Sequence, residues 1–274
     1  MTFSNTKKDS DAQMQSPAYR LAYDDFDFMM RDQLRAVRLQ LELLKPDITM
    51  SEQGITSTIV IFGSARILDA ETAQANLVKA QENTGDAIHE NAVFLAKQAL
   101  QKSYYYEQAR KLSALITADN LAQEKKLVVV TGGGGGIMEA ANRGATEVGG
   151  KSMGFNIVLP KEQTPNPYIT PELCFQFHYF SIRKMHFLIR AKALIAFPGG
   201  FGTLDEVFDA LTLIQTQKIQ RVPVILFGKA YWNRIVDFNG LVEEGAISAD
   251  DLDLIQYAET AEEAWAIIKD SIQK

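Results

Sequence analysis

The chain has 274 residues, with 28 basic and 34 acidic side chains, a formal net charge of −6 and 46% hydrophobic residues. That length can bury a sizeable core, in one large domain or two small ones. The acidic balance leaves no basic excess to neutralise a nucleic-acid backbone, although a single phosphate needs only local positive potential. One cysteine, Cys174, excludes an internal disulfide framework and fits a reducing, cytoplasmic setting. No apolar run reaches the length of about 18 residues that a transmembrane helix needs.

Residues 1–16 are polar, lack the apolar stretch of a signal peptide and read as a disordered tail. In residues 16–45 the apolar side chains Phe28, Met29, Leu34, Val37, Leu41 and Leu44 recur at helical spacing. This predicts one long amphipathic helix, ended by Pro46, within a helical extension spanning 17–56. The main domain is expected over 57–274. Inside it, residues 70–123 contain no proline and one glycine. They read as a helical insert of two or three helices, with Tyr104, Tyr105 and Tyr106 near the start of the last. Strands are expected at 58–62, 127–130, 151–158, 173–178, 193–197 and 222–227, with a short one near 254–257. Helices are expected near 137–148, 181–190, 203–216 and 230–243. Alternating strands and helices, with strands apolar along their whole length, mean an α/β fold. It is a Rossmann-like doubly wound parallel sheet, decorated by the N-terminal helical extension and the helical insert. Such sheets bind ligands at the carboxyl ends of their strands. Cys174, in an apolar strand pattern, is expected in the core. The three histidines, His89, His178 and His186, have no short ligand spacing, so no metal site is expected.

Three strand ends run through a polar or glycine-rich turn into a helix. The first carries Gly63 and Ser64 and continues to Arg66. The second runs Gly132-Gly133-Gly134-Gly135-Gly136 into Ile137, Met138 and Glu139. The third is Pro198-Gly199-Gly200-Phe201-Gly202-Thr203-Leu204-Asp205-Glu206. Glycine lets backbone approach a ligand closely, and a helix N-terminus offers unpaired N–H groups and a positive dipole end to an anion. The dinucleotide spacing Gly-x-Gly-x-x-Gly fails in both glycine-rich loops. A near-miss to the P-loop at Gly144 and Gly150-Lys151-Ser152 is one residue too long, and Gly149-Gly150 reads as a helix C-cap. A helix opening at Gly202–Thr203 would put Glu206 one turn on and on the same face as Thr203, about 5.4 Å along the axis. A phosphate at Thr203 would then place Glu206 near the anomeric carbon of a bound nucleotide. Arg183 and Lys184 are the expected cations between these two negative charges. Asn156, at the carboxyl end of its strand, joins the candidate substrate contacts.

At these residues the sequence resembles the LOG (Lonely Guy) family, also described as "lysine decarboxylase". Residues 198–206 match that family's Pro-Gly-Gly-x-Gly-Thr-x-x-Glu at every specified position. Gly132 to Met138 resembles its other glycine-rich loop, and Arg183-Lys184 stands where the family has an Arg-Lys pair. The resemblance covers about 57–272 outside the insert, and the extension and insert are similar to those of the larger bacterial members. It implies hydrolysis of the N-glycosidic bond of a nucleoside 5′-monophosphate, of AMP or cytokinin riboside type, to free base and ribose 5-phosphate. It implies no metal or redox cofactor and a homodimer or higher homo-oligomer, while charge and hydropathy lead to the expectation of no nucleic-acid or membrane partner. Arg183 and Glu206 then match the catalytic pair, and Gly199, Gly200, Gly202 and Thr203 the phosphate loop. One departure is Ser181-Ile182, where compact members carry His-Glu. The alternative is a non-catalytic nucleotide-binding or molybdenum-cofactor carrier protein of the same fold, which would not need the Arg183–Glu206 pair.

Overall fold

The computed structural model describes residues 10–82, 87–123, 127–160 and 164–273. Helices α1 (Asp11–Met14), α2 (Phe26–Met29) and α3 (Arg35–Glu52) precede β1 (Ser57–Phe62). Then come α4 (Ala70–Glu82), α5 (Ala87–Ala122), β2 (Leu127–Thr131), α6 (Ile137–Glu147), β3 (Ser152–Ile157) and β4 (Cys174–Phe177). The chain continues through α7 (Phe180–Ile189), β5 (Ala191–Ala196), α8 (Phe201–Gln215), β6 (Val224–Phe227), α9 (Lys229–Ile235) and α10 (Phe238–Glu243). It ends with β7 (Ile255–Ala258) and α11 (Ala261–Gln273).

The seven strands form one sheet in the order β4-β3-β2-β1-β5-β6-β7, and every pairing is parallel. β1, β2, β5 and β6 are buried on both faces because successive side chains enter opposite cores. Val60, Val130, Leu194 and Leu226 pack with residues of α7, α8 and α9 on one side. Ile59, Val129, Ile195 and Ile225 pack with residues of α5, α6 and α11 on the other. After β1 the chain moves outward through β2, β3 and β4, then returns to lay β5 against the free side of β1. The reversal of strand order between β1 and β5 opens a crevice at their carboxyl ends, where such sheets bind ligands.

Several boundaries differ from the sequence reading. Residues 1–9 of the expected tail lie outside the described residues, and α1 forms one helical turn in the remainder. The expected single helix at 16–45 is instead a series of single turns followed by α3, which runs straight through Pro46. Proline in a helix interior removes one N–H bond and orphans the carbonyl four residues back. Here that carbonyl belongs to Glu42, and His186 Nε2 lies 3.3 Å from it. The Glu42 carboxylate accepts the backbone N–H groups of His178 (2.9 Å) and Tyr179 (3.1 Å), just before α7. Asp47 pairs with Arg190 at 2.6 Å, at the other end of α7. Tertiary contacts with α7 thus satisfy what Pro46 takes away. Among the described residues the insert has two helices, and Tyr104, Tyr105 and Tyr106 sit in the middle of the 36-residue α5. The helix expected at 230–243 is broken at Asp237, whose carboxylate caps α10 by accepting the N–H of Gly240 (2.9 Å). α6 does close at Gly149-Gly150, whose N–H groups return to the carbonyls of Thr146 and Ala145. Cys174 is exposed, a correction to its core assignment. It lies on the edge strand β4, where Phe175 and Phe177 turn inward and the alternate positions face out.

Candidate active site

The crevice opens into a cavity of about 1290 Å³ that draws on all three motifs. The peptide of Ser64 ties them together. Its N–H donates to the carbonyl of Pro198 (3.0 Å), and its carbonyl accepts the N–H of Ile137 (3.1 Å). The two glycine-rich loops therefore flank the end of β1 and are pinned to it by main-chain bonds.

α8 begins at Phe201, two residues earlier than the motif suggested, with Gly200 as its N-cap. The first intrahelical bond is donated by Leu204 to the Gly200 carbonyl. The N–H groups of Phe201, Gly202 and Thr203 thus form the open first turn that can receive an anion. Gly199 has to lack a side chain, because a Cβ there would lie 2.1 Å from Thr203 Oγ1. Its carbonyl accepts the Tyr231 hydroxyl at 2.5 Å, which holds the loop from the α9 side.

Thr203 and Glu206 are both buried, at 7% and 9% exposure, and both line the cavity. Burial raises the Glu206 carboxyl from 4.5 to about 7, against the lowering effect of Arg183 and Lys184. Burial likewise lowers Arg183, opposed by Glu206. Arg183 Nε donates to the carbonyl of Phe155 (2.7 Å), and its guanidinium lies 5.2 Å from the centre of the Phe187 ring. Arg183 and Glu206 perturb one another, yet among the described residues no direct ion pair joins them. A substrate group can therefore lie between them.

Of the other candidates, Gly63, Ser64, Gly132, Met138, Asn156, Gly200 and Gly202 line the same cavity. Gly133, Gly134, Gly136, Glu139 and Lys184 are not among its lining residues. Gly133, with φ +78°, has Asn156 Oδ1 2.2 Å from where a Cβ would stand. The carbonyls of Gly133 and Gly134 accept the side chain of Asn166 at 3.2 and 3.0 Å. Glu139 accepts the Tyr106 hydroxyl (2.9 Å), which ties α6 to α5. Lys184 pairs with Asp205 at 2.7 Å. These residues shape the loops from behind. Ile182, in place of the family's Glu, is buried in the core under α7, and Ser181 is exposed.

The sequence reading missed the network that stiffens the second loop. Asn142 Oδ1 accepts both Thr131 Oγ1 (2.7 Å) and Asn166 Nδ2 (2.9 Å), and Asn142 Nδ2 donates to the Met153 carbonyl (3.1 Å). Asn142 had a signal, since its helical neighbours Met138 and Ala145 put a polar side chain on an apolar face. Asn166, between Pro165 and Pro167, had none. The aromatic rings of Phe180 and Phe201, which open α7 and α8, were also missed. Both line the cavity, at 52% and 92% exposure.

A doubly wound parallel sheet, with two glycine-rich turns, a buried Glu206 and a partly buried Arg183 at its switch point, defines a Rossmann-like α/β protein. Residues 138–268 match the family model described as "Possible lysine decarboxylase". Cytokinin riboside 5′-monophosphate phosphoribohydrolase LOG3 of Arabidopsis thaliana is 35% identical over 82 residues, 30% of this chain and 38% of that protein. Probable cytokinin riboside 5′-monophosphate phosphoribohydrolase LOGL3 of Oryza sativa subsp. japonica is 39% identical over 83 residues, 30% of this chain and 39% of that protein. Through this stretch the chain is similar to proteins of the LOG family, and the match spans about two fifths of the length of these relatives. Among solved structures, the Moco carrier protein from Chlamydomonas reinhardtii is similar over 80% of this chain and 98% of its own, at 20% identity and a TM-score of 0.46. Among the described residues no helix is long and apolar enough to cross a membrane.

Proposed function

We propose that this protein hydrolyses the N-glycosidic bond of a nucleoside 5′-monophosphate, of AMP or cytokinin riboside monophosphate type, releasing the free base and ribose 5-phosphate. The observation that carries the reading is the placement of Glu206. It is a buried carboxyl, one helical turn from an open helix N-terminus, and it faces the same cavity as Arg183. The 5′-phosphate sits against the first-turn N–H groups of α8 and the Thr203 hydroxyl, with Arg183 offsetting charge between phosphate and carboxylate. The ribose spans the turn and brings C1′ to Glu206. Cleavage builds positive charge on the ribose ring, which the Glu206 carboxylate stabilises while it orients water for attack at C1′. Net, water divides across the broken bond: hydroxide goes to C1′ and a proton to the departing base nitrogen. The exposed rings of Phe180 and Phe201 offer flat apolar surfaces for that base.

The test is incubation of the purified protein with a panel of nucleoside monophosphates, followed by separation of free base and ribose 5-phosphate. Release of both in equal amounts supports the reading. Tight nucleotide binding without release from any member supports a carrier.

We also infer a homo-oligomer, at least a dimer. One face of α3 packs on α7, and the opposite face carries Val37, Leu41, Leu44 and Ile48, all 39–51% exposed and in register along the helix. Such a stripe favours burial against a second copy.

A further inference from the structure

α5 is far longer than the sheet needs. Its 36 residues span about 54 Å, whereas the six-residue strands β1, β3 and β5 span about 20 Å. Its second half lies on the sheet, with Tyr106, Ala109, Leu112 and Ile116 fully buried. Its first half runs on past the carboxyl edge and becomes one wall of the cavity through Leu95, Gln98, Ala99 and Lys102. These four positions follow i, i+3, i+4, i+7, so a single helix face looks onto the site. The wall is anchored where it meets the body: the Tyr104 hydroxyl donates to the Glu259 carbonyl (2.7 Å), and the Tyr105 ring meets the Phe227 ring at 6.3 Å.

The charges around the cavity do not cancel. Of the carboxylates lining it, Asp205 is held by Lys184, and Glu206 faces Arg183. Arg66, in the turn after β1, and Lys102, on the α5 wall, also line it, and among the described residues neither makes an ion pair. In a chain of net charge −6, two uncompensated cations thus face one cavity from two different elements. The cavity also exceeds the roughly 300–1,000 Å³ of ordinary small-molecule sites.

We propose that Lys102 and Arg66 form a second anion subsite, so that the cavity takes a nucleotide carrying a phosphoryl group beyond the one seated at α8. The proposal rests on the reading of α8 as the seat of the first phosphate. Titration calorimetry compares AMP with ADP on the full chain and on Lys102→Gln, Arg66→Gln and Lys97→Gln, the last an exposed residue of α5 off the cavity face. The wild type is expected to bind ADP about five-fold more tightly than AMP at low salt, with the ratio shrinking as salt is added. The ratio should fall toward one in Lys102→Gln and Arg66→Gln and persist in Lys97→Gln. If AMP binds and ADP gains nothing, or if the gain survives in Lys102→Gln and Arg66→Gln, the second subsite is overturned alone. If neither nucleotide binds, the first-phosphate seat fails and the second subsite falls with it.

Discussion

Replacing Glu206 by glutamine separates what the carboxylate does for catalysis from what it costs the fold. The side chain is 9% exposed, and its carboxyl is raised from 4.5 to about 7, chiefly by burial. The folded state thus favours the neutral form. Below pH 4.5 the group is protonated folded or unfolded and contributes nothing. As pH rises past 4.5 the unfolded chain ionises first, and stability falls until the folded group has ionised too, above about 7. At about 1.4 kcal/mol per pH unit the full cost is about 3 kcal/mol. Glutamine keeps the shape and cannot ionise. Glu206→Gln should therefore melt about 5 °C above wild type at pH 8, given the usual unfolding entropy of a chain this size, and close to wild type at pH 4.5. Its turnover of a nucleoside monophosphate should fall about 100- to 1,000-fold, the usual loss when one preorganised electrostatic group is removed. Scanning calorimetry at the two pH values and a free-base assay on the same preparations read both effects. A variant no more stable than wild type at pH 8, or stabilised equally at both pH values, would show that burial does not hold this carboxyl neutral. Undiminished turnover would remove Glu206 from the chemistry.

The phosphate seat predicts that adenosine reacts at least about 100-fold less efficiently than AMP, since the open turn of α8 has nothing to bind in the nucleoside; equal kcat/KM values would refute it. Gly199→Ala should displace Thr203, whose hydroxyl lies 2.1 Å from the added Cβ. A rise in KM for AMP of about 10-fold or more is expected, with little change in fold by circular dichroism. The double substitution of Leu41 and Leu44 by glutamate, on the outer face of α3, should lower the mass found by light scattering to that of the monomer. A monomeric wild type would remove the oligomer, and an unchanged mass in the variant would place the interface elsewhere. Removing residues 1–45 would be a poorer test, because it also deletes Glu42, whose carboxylate holds the start of α7.

The alternation of apolar strands and helical segments made the doubly wound class legible in the sequence, because a parallel sheet covered on both faces demands strands apolar along their length. The Pro198–Glu206 motif was equally legible. A glycine-rich turn, a helix N-terminus and a carboxylate one turn on are fixed relative to one another by local geometry alone. The resemblance to the family's Arg-Lys pair assigned Arg183 to catalysis and Lys184 to substrate contact, but local geometry alone could not tell which of the two faces the cavity. Arg183 points into the cavity and Lys184 across to Asp205, and that choice depends on how α7 sits against the sheet. The continuation of α3 through Pro46 was hidden for the same kind of reason. Proline ends a helix when its orphaned carbonyl has no partner, and the group beside that carbonyl, His186, comes from 144 residues further along the chain. Cys174 looked like core because strand alternation does not say which face of an edge strand is covered. The insert was visible as helix by composition, but not as a wall of the site. Only the packing of α5 along α6 and α11 sets the direction in which its free half projects, and so brings Lys102 to the same cavity as Arg66 and Glu206.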